Sequence, residues 1–284
     1  VFRTILPWML KYALTTPKIA RLQGPVEEHL AGFSANQALI DMIAHHFFQK
    51  TPAHFALSYF SLYLDYRYPR GGTGALPQIL ERFLLDHGGE IRRETRITSL
   101  DPGRRHAADD RGNVYQYKKL LWAADQKALY RMVNPASVPD RKAGERIRAR
   151  KEALVGKVGG DSVLTVYFTV DLESSYFTRI SSPHFFYTPS TAGLSQVSLG
   201  ELRLADPESP AGLIGDRPRI EEWLRRYLEH TTYEISCPVL RDPALAPVGK
   251  TGLIVSSLFD YSLTKHIAAL GWYDEFKQLV VDHM

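Results

Sequence analysis

The sequence predicts an α+β fold, with helices and a mixed, largely antiparallel sheet in separate stretches of chain. Three observations predict it. The first 68 residues are rich in leucine, aromatics and histidine and read as short helices. Residues 69–125 read as turn, helix, strand, hairpin and strand. Two β-rich runs after 162 flank a single helical stripe.

In the first stretch Pro7, Pro17, Pro25 and Pro52 are expected to divide the helices. Tyr68-Pro69-Arg70-Gly71-Gly72-Thr73-Gly74 then reads as a turn. Leu76, Ile79, Leu80, Phe83 and Leu84 follow at i, i+3, i+4, i+7 and i+8, one apolar helical face expected to be buried. Gly88-Gly89 supplies a left-handed exit. Thr95–Leu100 reads as a strand, and Arg111-Gly112-Asn113 reverses the chain into Val114–Tyr117. Leu120–Ala124 is short and wholly apolar, as expected of a strand buried on both faces.

Residues 138–161 read as a charged connector, and Val163–Val170 opens a second sheet. The stretch 205–218 reads as a surface loop, ahead of a helical stripe of Ile220, Trp223, Leu224, Tyr227 and Leu228. Strands are expected at Tyr233–Leu240 and Leu253–Leu258, with a proline-rich turn between them. The stripe Trp272, Tyr273, Phe276, Leu279 and Val280 runs to the last residues without a stop signal, and Val1 is no initiator, so both ends read as internal to a longer chain.

Composition is that of an ordinary globular protein, with 44% hydrophobic and 23% charged residues. A net charge of +4 assigns no nucleic-acid role. The basic run Arg141, Lys142, Arg146, Arg148, Arg150 and Lys151 is diluted by Asp140, Glu145 and Glu152; it reads as a solvated helix face, and is the segment that would brush an anionic membrane. The single cysteine, Cys237, excludes an internal disulfide and fits a reducing compartment, so the expectation is cytoplasmic.

Local motifs point to little chemistry. Gly71-Gly72-Thr73-Gly74 fails as a dinucleotide loop because Pro77 occupies the third glycine position and no apolar strand precedes it. Gly249-Lys250-Thr251 lacks the first glycine of a phosphate loop, Ala244 standing in its place. His45, His46 and His54 have no matching carboxylate or cysteine and read as structural, so no metal is expected. Cys237 precedes Pro238 in a predicted strand, with no helix N-terminus to activate it, and no Gly-x-Ser-x-Gly elbow exists. The aromatic series from Phe47 to Tyr68 suits core packing or a long apolar ligand.

The order of these motifs resembles one family. Tyr68-Pro69-Arg70-Gly71-Gly72-Thr73-Gly74-Ala75-Leu76, Gly88-Gly89-Glu90-Ile91, Thr95–Leu100, Asp110-Arg111-Gly112, Ala123-Ala124-Asp125 and Asp242-Pro243-Ala244-Leu245-Ala246-Pro247-Val248-Gly249-Lys250 are similar to successive segments of the phytoene desaturases, carotenoid isomerases and retinol saturases. The resemblance implies an FAD-dependent oxidoreductase that desaturates, saturates or isomerises C=C bonds of a long apolar isoprenoid or carotenoid-like substrate. It implies a helical part of the substrate-binding region at 1–68, a partial FAD-binding domain at 69–137, and a substrate-binding sheet with helices at 138–284.

By the same resemblance Ile97 would meet the adenine end of FAD, and Gly71, Gly72, Thr73, Ala123 and Ala124 would also contact the cofactor. No acid or base is assigned, since the flavin carries the chemistry. The family's Gly-x-Gly-x-x-Gly loop and C-terminal flavin segment have no counterpart here, so this polypeptide alone is expected to bind FAD weakly or not at all and to be inactive. The alternative reading is a non-catalytic module for an apolar ligand or a membrane surface.

Overall fold

A computed structural model describes residues 2–62, 67–157, 161–203 and 212–284. The fold is α+β. The chain divides into two compact units, one formed by residues 1–76 with 159–284 and the other by 77–158.

The first unit opens with α1 (Phe2–Ala20), which runs through Pro7 and Pro17 where the prolines were expected to break it. Each proline removes one main-chain donor. The Thr15 and Thr16 hydroxyls fold back to donate to the carbonyls of Lys11 and Tyr12 at 2.8 Å. Next come α2 (Val26–Ala31), α3 (Gln37–Ala44) and α4 (Ala53–Leu62). Val26, Ala44, Phe47 and Ala56 form their small core, with Leu30, Tyr59 and Phe60 packed against it. Phe47 meets Tyr59 and Phe60 edge-to-face at 5.6 and 5.3 Å, the arrangement favoured by the ring quadrupoles.

α5 (Ala75–Asp86) begins at the boundary between the units. Its C-terminus is closed as expected: Gly88 has φ +77°, and the Gly88 and Gly89 amides donate to the carbonyls of Leu85 and Leu84. Its apolar face is not buried, however, and Leu80 is 68% exposed. The 3.6-residue period reports that one face is apolar but not whether another element covers it.

The second unit continues with β1 (Ile97–Asp101), β2 (His106–Asp109) and β3 (Val114–Gln116), a three-stranded antiparallel meander with a bulge between Ile97 and Ser99. Asp109 pins the β2–β3 turn. Its Oδ1 accepts from the Arg111 and Asn113 amides, both at 2.9 Å, and its Oδ2 from Asn113 Nδ2 at 2.9 Å and the Tyr115 hydroxyl at 2.6 Å. These donors hold its carboxyl well below the ordinary range, the Tyr115 hydroxyl most of all.

Leu120–Ala124 forms no strand and is largely exposed, Leu121 at 94%. A doubly buried strand needs neighbours on both edges, and among the described residues the run pairs with none. α6 (Gln126–Met132) and α7 (Arg141–Ala153) complete the unit. The stretch read as a connector is therefore helical over α7, whose start is capped by Asp140 accepting from the Lys142 and Ala143 amides. Leu100, Ala107 and Val133 are the buried centre of this unit.

The first unit resumes at β4 (Asp161–Val170), followed by α8 (Ser174–Ile180), β5 (His184–Tyr187), α9 (Arg217–His230), β6 (Tyr233–Ser236), β7 (Thr251–Asp260), α10 (Tyr261–Ala269) and α11 (Tyr273–His283). The sheet order is β4-β7-β6-β5 and every pairing is antiparallel. The expected mixed sheet is absent among the described residues, where the one parallel pairing is an isolated bridge between Leu100 and Val133. β4 and β7 pair over ten residues, from Asp161 opposite Asp260 to Val170 opposite Thr251.

β6 ends at Ser236, not Leu240, because Pro238 cannot donate to a ladder. Most of the expected loop at 205–218 lies outside the described residues. The stripe on α9 packs as its period predicts: Ile220, Trp223, Leu224, Tyr227 and Leu228 are all buried, against Val255 and Phe259 of β7, Leu263 and Ile267 of α10, and Phe276 and Val280 of α11. No helix among the described residues is long and apolar enough to cross a membrane.

Candidate functional site

In the second unit, the start of β1, the segment 120–125 and α6 border a cavity of about 520 Å³. Ile97 and Ala124, two of the residues singled out for cofactor contact, both line it. Trp122, Ala128 and Met132 add apolar wall, and Arg96 and Arg131 bring two guanidinium groups. The carboxylate present, Asp125, caps α6 by accepting from the Ala128 amide at 2.6 Å. The Trp122 indole N–H donates to the Asp125 carbonyl at 2.9 Å, which fixes the ring beside Ala124. Ala123 is exposed and does not line the cavity.

The wall at β1 is tied down by its neighbours. Arg111 donates to the Glu94 carbonyl at 3.1 Å, the Asp110 amide donates to Arg96 O at 2.9 Å, and Glu94 holds a left-handed φ of +51°. The cleft sets Ile97, Trp122, Ala124, Ala128 and Met132 beside the polar Thr95 and Thr98, with Arg96 also in its lining and Arg131 paired to Asp125 at 3.9 Å. One flat aromatic face next to guanidinium groups can take a planar ring that carries negative charge. Among the described residues no group of three His, Cys, Asp or Glu side chains could hold a metal ion.

Gly71, Gly72 and Thr73 belong to the first unit. Gly71 and Gly72 both have φ +80°, a conformation open to glycine at little cost. The Gly71 amide donates to Asp242 Oδ2 at 2.7 Å, which holds the Asp242 carboxyl below its ordinary range. Arg241 lies over the Tyr68 ring at 5.3 Å. Two of the motif segments behind the family resemblance, 68–76 and 242–250, thus meet within this unit through Gly71 and Asp242. Thr73 is exposed, and Gly249, at φ +78°, turns the chain into β7.

No protein-family model matches the chain, and no curated protein does.

Sequence reasoning missed a second cavity, of about 260 Å³, in the first unit, lined by Glu27, Asp41, His45, Asp161, Trp223 and Tyr227 among others. His45 Nδ1 accepts from the Thr232 amide at 3.2 Å, so the ring proton sits on Nε2. Burial, with His46 adding to it, lowers the His45 pKa to about 4 and keeps the ring neutral. The neighbouring carboxylates serve as ties: Asp41 Oδ2 accepts from the Ser195 amide at 2.8 Å, and Asp161 Oδ2 from the Gln49 amide at 2.6 Å. Each tie joins segments more than a hundred residues apart, a relation that no local motif could reveal.

His45 therefore satisfies a buried backbone donor, the structural role expected of the histidines. Cys237 is fully buried and its thiol pKa is raised by that burial, which leaves it inert as a nucleophile.

Proposed function

We propose that this chain is part of a flavin-dependent oxidoreductase of the phytoene desaturase, carotenoid isomerase and retinol saturase type, acting on C=C bonds of a long apolar isoprenoid. Its second unit receives the adenine-nucleotide end of FAD. The observation that supports this most directly is the convergence of Ile97 and Ala124, from segments distant in sequence, on one cavity. Ile97, Ala124 and Trp122 would hold the adenine, and Arg96 and Arg131 would face phosphate or ribose oxygens. When bound, the flavin would supply hydride acceptance or donation. The chain's own task is to hold and orient the nucleotide end of the cofactor.

A part lacking the glycine-rich pyrophosphate loop binds the nucleotide weakly, so the test must read weak binding. In a methyl-labelled sample titrated with millimolar ADP, the Ile97, Ala124 and Ala128 methyl resonances are expected to shift with one common saturation curve. Ala124→Trp, which fills the cavity, is expected to abolish the shifts. Unmoved methyls across the titration, or shifts unchanged in the filled variant, would overturn the proposal.

A further inference from the structure

We propose that α1 is an interfacial helix that lies on an anionic lipid surface. Apart from Thr15, every residue of α1 whose side chain is described is exposed, including Leu6 at 65%, Trp8 at 63% and Leu14 at 66%. A helix that displays this much apolar surface needs a partner to cover it. The chemistry of the helix selects that partner.

The charges are all of one sign. From residue 1 to residue 26 the chain carries Arg3, Lys11, Lys18 and Arg21 and no acidic residue, the first being Glu27. Lys11, Thr15 and Lys18 recur at i, i+4 and i+7 and share one helix face, whereas Ile5, Met9 and Tyr12 repeat the same spacing about 120° further round the helix. Trp8 stacks on Tyr12 at 5.5 Å between ring centroids. Apolar body, aromatic side chains and a cationic face together fit the boundary between headgroups and acyl chains. The helix is not apolar enough to span, so it would lie in the plane of the surface.

Charge complementarity favours lipid headgroups carrying negative charge: four cations without an internal counter-ion gain from an anionic surface. The surface differs from the basic helix α7, which mixes its cations with Glu145 and Glu152. The proposal stands independently of the flavin reading.

Vesicle co-sedimentation of the full chain tests it. The protein is expected to bind phosphatidylcholine vesicles that contain phosphatidylglycerol, to bind pure phosphatidylcholine far less, and to lose binding as salt rises. Lys11→Gln with Lys18→Gln should weaken the association roughly 30-fold, about fivefold per lysine, and Arg148→Gln with Lys151→Gln in α7 should leave it within about twofold. Brominated lipid should quench Trp8, read against Trp8→Phe. Because these side chains are exposed, the variants should keep the parent's thermal midpoint. Equal binding to both vesicle types, loss through the α7 pair instead of the α1 pair, or a change in oligomeric state on α1 substitution without change in vesicle binding would each overturn the proposal.

Discussion

The backbone N–H of Gly71 donates to Oδ2 of Asp242 at 2.7 Å across 171 residues of sequence. The bond forms because Gly71 and Gly72 both adopt φ +80° and turn the amide outward, while Asp242 is held by a bond of its own from the Ala244 amide. Replacing either glycine by alanine should cost about 1–2 kcal/mol in urea unfolding, since a side chain disfavours the left-handed region. An added Cβ at Gly71 would meet only Ala75 Cβ at 3.8 Å, so the cost is conformational rather than steric. A stable Gly71→Ala variant would show that the turn tolerates another backbone path.

His45 should make the protein acid-sensitive. Burial lowers its folded pKa to about 4 from 6.5, so the unfolded chain takes up the proton first as pH falls. Stability is then complete above about pH 6.5 and declines between there and about 4, by roughly 3 kcal/mol in all. His45→Gln, which keeps an acceptor for the Thr232 amide, should flatten that slope in chemical denaturation across this pH range.

Asp109 acts in a lower window. Its carboxyl is held below the ordinary range by its four donors, so its contribution is full above about pH 4 and is lost as pH falls towards its folded value. Asp109→Asn should lower the thermal midpoint at neutral pH by several degrees and weaken the acid dependence below about pH 4. The Tyr115 hydroxyl should then exchange its proton faster, a readout available by NMR.

Two leucines with the same helical periodicity should respond in opposite ways. Leu224 of α9 is fully buried, and Leu224→Ala should cost about 2–5 kcal/mol through lost transfer energy and the cavity left behind. Leu80 of α5 is 68% exposed, and Leu80→Ala should change stability by no more than about 0.5 kcal/mol. Urea melts of both variants check the contrast, and a large loss at Leu80 would mean that the α5 face is covered.

Much of the secondary structure is legible in local sequence because its causes are local. The helical spacing of Ile220, Trp223, Leu224, Tyr227 and Leu228 announces α9, Gly88-Gly89 closes α5, and Arg111-Gly112-Asn113 reverses the β2–β3 hairpin. Turn and helix chemistry acts over a few residues, and the sequence displays it directly. Of the candidate nucleotide site, motif order names Ile97 and Ala124, whereas Trp122, Arg96 and Arg131 become visible only once β1 and α6 are brought together.

Tertiary structure decided what depends on distant partners. Whether the apolar face of α5 or the run Leu120–Ala124 is buried depends on which surfaces come to cover them, and periodicity carries no information about that. The ties from Asp242 to Gly71 and from Asp41 to Ser195 likewise use side chains whose local context is ordinary. The sequence by itself determined the α+β class, the helical stripes and the turns, because backbone sterics and amphipathic spacing are properties of neighbouring residues. Burial, the neutral state of His45 and the cavity that unites Ile97 with Ala124 are properties of packing, and only the folded chain has them.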